Sequence, residues 1–194
     1  MMIQGLKLGV AICGSFCTFK STVKMIENLI ALGVDVYPIM SFNAYDTTTR
    51  FGRREDFIEQ IEELTGKAII HTITGAEPVG PKSMVDAMLV APCTGNTLSK
   101  LANGITDTPV TLATKSLLRN AKPVIIAIST NDGLAINLKN IGEMITNQSV
   151  FFVPFAQDDP INKPYSLIAD LELVPQTIEK ALEYQQIQPI LKKD

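Results

Sequence analysis

Two short stretches hold the residues best suited to chemistry: CGSFCT at residues 13–18 and PCTGNT at residues 92–97. Apart from thiols, neither contains an acid, a base or a nucleophile. Gly14, Ser15, Thr94, Asn96 and Thr97 offer backbone N–H groups, hydroxyls and an amide instead. A phosphate ester needs several neutral donors and no proton transfer, and a turn leading into a helix presents donors where the helix dipole favours an anion. In the first stretch, Gly9 and Gly14 have the GxxxxG spacing of a P-loop. The next two positions are Ser15 and Phe16, not Lys and Ser or Thr, so that motif fails. No GxGxxG dinucleotide fingerprint occurs either. Taken alone, the first turn is equally compatible with a plain helix cap that binds nothing. The second stretch says more. Pro92 stops a strand, Thr94 can cap the following helix, and Gly95 allows a backbone to come close to a ligand.

These turns need strands and helices to hold them. Residues 6–12 (LKLGVAI) read as a buried strand, followed by a helix over 20–32 with Val23, Ile26, Leu29 and Ile30 on one face and Gly33 after it. Strand-like runs recur at 34–40, 67–73, 87–92, 123–128 and 149–154. Helical patterns fall at 54–65, 94–102, 110–120, 134–145 and 175–184, while Pro160 and Pro164 favour a loop before the last helix. Strands without alternation, interleaved with helices, define an α/β protein with a mostly parallel sheet covered by helices on both faces. The expectation is one Rossmann-like, flavodoxin-like three-layer domain over 1–194, with a core at about 6–154 and a C-terminal segment, 155–194, serving as a lid or subunit contact. Such sheets bind ligands beyond the carboxyl ends of their strands. That directs attention to CGSFCT, SFNAYD (41–46), PCTGNT and STNDGLAIN (129–137), all rich in Ser, Thr, Asn or Gly.

Composition narrows the function classes. The 194 residues are 46% hydrophobic and 19% charged, with a formal net charge of −3. That balance is globular and lacks the positive surplus a general nucleic-acid binder needs. No apolar run is long enough for a membrane span or a signal peptide, so a soluble cytoplasmic protein is expected. Three cysteines without CxxC spacing suggest neither a disulfide framework nor zinc, and each is expected as a small buried or half-buried residue. The single histidine, His71, removes most metalloenzymes, and no metal site is expected.

The loops together resemble a known family. GSFC, SFNA, PCTGNTLSKLANGITDTPVT and the ISTN loop are similar to the corresponding segments of the homo-oligomeric flavin-containing cysteine decarboxylase-like flavoproteins. Pro92, Thr94, Asn96 and Thr97 match that family's Pro-Ala-Ser-Ala-Asn-Thr run, and Lys100, Ala102, Gly104 and Asp107 match its Lys-x-Ala-x-Gly-x-x-Asp helix. Order and spacing extend from about residue 6 to 146. The active-site histidine of the decarboxylases would fall near Pro78, and His71 does not fit it. Of their Pro-x-Met-Asn stretch, Ile128-Ser129-Thr130-Asn131 retains only the Asn. The stretches DTTTRFG, EPVGPK and STNDGLAINLKNIG resemble those of a branch of these flavoproteins found in spore-forming bacteria. Members of that branch work with a second, nicotinamide-binding-type subunit to make pyridine-2,6-dicarboxylate.

The resemblance implies a homo-oligomeric flavoprotein, trimeric or higher, holding FMN. The phosphate would sit among Gly14, Ser15, Ser41, Thr94, Asn96 and Thr97. The ring would lie near Phe16 beside Pro92, with Cys93 beneath and Ser129 and Asn131 at its edge. Phe42 and Tyr45 could also line a ring, or pack as rim residues. A dicarboxylate substrate calls for cationic forks, for which Arg50 is the candidate. Arg53 and Arg54 read equally as a solvated helix start. Asn131 could bind a carboxylate or orient the ring, as the one catalytic candidate. Two alternatives stay open: a non-catalytic scaffold for the partner chain, and a decarboxylase of the parent type.

Overall fold

The structure, a computed structural model, describes residues 3–192; the last two residues of the expected C-terminal segment lie outside it. The chain runs β1 (Lys7–Ile12), α1 (Phe19–Ala31), β2 (Asp35–Met40), α2 (Phe42–Asp46), α3 (Arg54–Thr65) and α4 (Ile73–Ala76). It continues through β3 (Ala87–Cys93), α5 (Gly95–Ala102), α6 (Pro109–Arg119), β4 (Val124–Thr130), α7 (Leu138–Ile145), β5 (Val150–Phe152), β6 (Phe155–Asp159), β7 (Lys163–Ala169) and α8 (Val174–Leu182). Among the described residues, seven strands form one sheet in the order β2-β1-β3-β4-β7-β6, with β5 also paired to β4. β1 to β5 are parallel, whereas β7 runs antiparallel to the end of β4 and β6 antiparallel to β7.

The sequence pattern explains this sheet. Every residue of β3 is buried, as are Val124 to Ile128 of β4, so these strands need cover on both faces. The crossover β1–α1–β2 moves one way along the sheet and β3–α6–β4 the other, so right-handed connections put α1 and α6 on opposite faces. α1 buries Val23, Ile26 and Leu29, and the chain leaves it through Gly33 at φ 82°. α3 ends at Gly66, whose left-handed φ of 64° closes the helix. Thr108 caps α6 through a capping box with Thr111, and Pro109 starts the helix.

Three expectations need correction. Residues 67–73 do not form a strand. Ile70 makes a single bridge to Ile39, and two residues later the Thr72 side chain accepts from Gly75 N and turns the chain into α4. The cap takes the backbone that a longer ladder would need. The residues before α8 are not a loop either: β6 and β7 form a hairpin. Pro160 lies in its turn, where Asp159 accepts from the backbone and side chain of Asn162 at 3.0 and 2.9 Å. Pro164 sits next to the shift in the β6–β7 register, where a missing N–H is tolerated. Finally, α7 starts at Leu138 rather than at 134, because residues 132–137 turn around the Asp132 side chain.

Candidate functional site

The strand order reverses direction between β1 and β3, the switch point at which parallel α/β sheets open a crevice. Cys13 N donates to Pro92 O at 3.3 Å, so the two strand ends leave the sheet side by side. Two adjoining hollows open there. One, of about 460 Å³, is lined by Gly14, Ser15, Thr94, Gly95, Asn96, Ser129, Thr130, Asn131 and Asp132. The other, of about 350 Å³, is lined by Gly14, Ser41, Phe42, Asn43, Thr94, Asn96, Thr97, Lys100, Asp107 and Thr108. Gly14, Thr94 and Asn96 belong to both walls. Of the twelve residues assigned from the sequence, Gly14, Ser15, Ser41, Thr94, Asn96, Thr97, Ser129 and Asn131 thus meet at one place.

Most are held by an identifiable contact. Thr94 caps α5: its hydroxyl accepts from Thr97 N and donates to Thr97 Oγ1 at 3.3 Å. Ser41 caps α2 through Ala44 N. Ser15 makes no helix cap; its hydroxyl bonds Ser129 Oγ at 2.7 Å, tying the β1 turn to the end of β4. Asn96 and Asn131 are exposed at the mouth. Behind Asn131, the Asp132 carboxylate accepts from Thr130 Oγ1 at 2.5 Å and from Asn137 Nδ2 at 2.9 Å, while Asn137 Oδ1 accepts from Asn140 at 2.7 Å.

Gly95 lines the first hollow and also has a structural reason. A Cβ there would overlap Asn137 Nδ2 and lie 2.6 Å from Thr130 Oγ1 and 2.8 Å from Asp132 Oδ1. The glycine makes room for the protein's own polar network.

Four assigned residues do not line these hollows. Phe16 is half-buried and packs on Phe19 with ring centroids 5.2 Å apart. Pro92 lines a separate hollow of about 340 Å³ between α1 and β7, which shares Ser129. Cys93 is fully buried, and burial together with the neighbouring Cys13 pushes its thiol well above the ordinary range. Burial likewise pushes Cys13 up to about 11, although polar contacts with Thr97 and Thr94 draw it partly back. Both thiols are protonated core groups, whereas Cys17 is exposed, contrary to expectation. Arg50 lies 4.9 Å over the Phe51 ring, on an exposed turn closed by Thr49 and Gly52. Arg53 and Arg54 pair with Glu55 at the start of α3, as a solvated helix end would. His71 stacks on Tyr45 at 3.8 Å and also lies off the hollow walls.

The sequence reading missed six wall residues: Asn43, Lys100, Asp107, Thr108, Thr130 and Asp132. Lys100 and Asp107 sit in the family-like helix motif, but seven residues of separation hid their contact at 2.8 and 2.9 Å. Hydrogen bonding to Lys100 holds the Asp107 carboxyl below its usual range. Lys100 is the sole cation among the described residues that line the two hollows. Among the described residues, no group of three or more His, Cys, Asp or Glu side chains could hold a metal ion, and no helix is long and apolar enough to cross a membrane.

A mostly parallel, helix-covered sheet with a switch-point crevice walled by hydroxyls, amides and turn backbone defines an α/β protein of the flavodoxin-like class. The chain belongs to the family described as Flavoprotein, which it matches over residues 1–184. It is 47% identical over 189 residues to the B subunit of dipicolinate synthase from Bacillus subtilis (strain 168), covering 97% of this chain and 94% of that one. The crystal structure of the dipicolinate synthase B subunit from Bacillus halodurans C superposes with a TM-score of 0.90 at 42% identity, over 99% of this chain and 98% of that one. An FMN-dependent cysteine decarboxylase, SpaF, shares the fold, with a TM-score of 0.72 at 19% identity over 93% and 99% of the two chains.

Proposed function

We propose that this protein is the FMN-binding subunit of a cytoplasmic dipicolinate synthase. It works with the second chain of that enzyme, the A subunit, to form pyridine-2,6-dicarboxylate from a dihydrodipicolinate-type precursor during sporulation. The observation that carries the reading is the near-full-length likeness to the B subunit of dipicolinate synthase. The site fits the cofactor. The two hollows are within the size range of small-molecule sites. Their shared wall of Gly14, Thr94 and Asn96 offers the neutral donors that a phosphate ester needs.

Bound FMN would supply an acceptor for the hydride lost as the dihydropyridine ring becomes aromatic; the accompanying proton leaves to solvent. The chain's own share is to bind, orient and shield. Thr94 and Asn96 would hold the phosphate, with Ser41 and Thr97 on the side of the second hollow. Ser15 and Ser129, locked together, fix the distance between the β1 and β4 turns. Asn131 stands at the mouth, where its amide can orient a substrate carboxylate. The homo-oligomer, a trimer or higher, would close the exposed side of the crevice.

The test is direct. The purified protein should be yellow and release FMN on denaturation, and anaerobic addition of substrate with the A subunit should bleach the flavin. A colourless protein that takes up no added FMN would end the reading. One observation favours a second reading: Arg50 lies off the hollows, leaving Lys100 as the single cation on their walls among the described residues for a dicarboxylate. In that case the chain is a flavin-fold scaffold and the partner binds the substrate, so a yellow protein would not bleach. Carbon dioxide release would instead identify a decarboxylase.

A further inference from the structure

Lys100 and Asp107 face each other across the rim of the second hollow, on the same wall as Ser41, Thr94 and Thr97. Lys100 Nζ lies 2.8 and 2.9 Å from the two Asp107 oxygens. The two ends of the pair differ in their surroundings. The lysine side chain is 22% exposed, whereas the aspartate is 57% exposed. An ammonium carries three N–H groups, and Asp107 is its sole hydrogen-bond acceptor among the described residues, so it can serve a second anion. An ion pair with one end in solvent contributes little to stability, so its partner can be exchanged cheaply. A phosphate placed beside Thr94 would meet an attractive ammonium and a repulsive carboxylate on one wall.

We infer that Lys100 is an exchangeable counter-ion for the cofactor phosphate, held in place by Asp107 until the phosphate arrives. The inference rests on the flavin reading and gives it a charge term that the neutral turns lack. It also separates two roles that geometry alone would merge. If the pair were only a strut between α5 and the 103–108 turn, loss of either partner would act in the same direction. As a counter-ion and its competitor, the two residues act in opposite directions, and only on ligands that carry the phosphate.

The experiment is a fluorescence titration of flavin-stripped wild type, Lys100→Met, Lys100→Arg and Asp107→Asn with FMN and with riboflavin. Lys100→Met should weaken FMN by about tenfold or more, the scale of a lost charged hydrogen bond, and leave riboflavin within about twofold. Asp107→Asn should tighten FMN by about two- to fivefold, and high salt should erase that gain. Lys100→Arg should retain most of the FMN affinity, which guards against a merely misfolded Met variant. Equal weakening of both ligands in the Met and Asn variants would overturn the counter-ion role while leaving flavin binding intact. A wild type that binds neither ligand would overturn the flavin reading beneath it.

Discussion

Gly95→Ala is the perturbation whose cost can be worked out from the structure. At the first position of α5, alanine should ordinarily help, because glycine in a helix costs about 0.5–1 kcal/mol relative to alanine. Here the added methyl would overlap Asn137 Nδ2 and lie 2.6 and 2.8 Å from Thr130 Oγ1 and Asp132 Oδ1. Asp132 Oδ1 accepts from both of the others, so moving any one of the three breaks a contact to a carboxylate. Hydrogen bonds to charged groups contribute about 1.5–3 kcal/mol each, and water at the half-buried Asp132 recovers part of one. With one such bond lost and the helix gain subtracted, the net destabilisation should be about 0.5–2.5 kcal/mol.

Urea unfolding followed by circular dichroism measures it, with Gly142→Ala as the control. Gly142 lies inside α7 with nothing within 4 Å of its would-be Cβ, so alanine there should stabilise by about 0.5–1 kcal/mol. A Gly95→Ala protein as stable as wild type, or more so, would refute the claim that the glycine serves the Asp132 network.

Asn96→Leu should abolish flavin retention without changing the unfolding midpoint of the flavin-free protein, as read from absorbance after gel filtration and from urea curves of stripped samples. Ser15→Ala and Ser129→Ala should each cost about 1 kcal/mol, and the double variant little more than either, since they share one 2.7 Å bond. Thr108→Ala should cost about 1 kcal/mol by removing the α6 cap, with Thr108→Ser near wild type. In thiol titration at neutral pH, Cys17 should react in the folded protein, and Cys13 and Cys93 only after denaturation. Because burial raises the folded pKa of Cys13 from 9.0 to about 11, its contribution is fully present below pH 9. That contribution is lost as pH rises through that window. Cys13→Ala should flatten the alkaline decline in unfolding free energy.

Much of the fold was legible because it is written in burial. The runs 87–92 and 123–128 have no polar face, and a strand covered on both sides is the arrangement that satisfies them. The helix over 54–65 was equally plain from its spacing and from Gly66. The segment 67–73 looked like a strand by composition, yet Thr72 spends its hydroxyl on a helix cap and leaves Ile70 as a lone bridge. The β6–β7 hairpin was hidden by two prolines that sit where a turn and a register shift can absorb them. In the site, residues within one turn of a strand end, such as Gly14, Thr94 and Ser129, could be placed together from strand order alone. Lys100 and Asp107 could not, because their meeting depends on how the chain folds back after α5. Cys93 lies off the hollow walls for a related reason: it follows Pro92 at the strand end, but its side chain is buried in the core.

The measurement closest to the central claim is a crystal structure of the protein soaked with FMN. Phosphate density should lie between Gly14, Thr94 and Asn96, where the two hollows share a wall. Density for the phosphate at any other place on the molecule, or none at saturating FMN, would contradict the account.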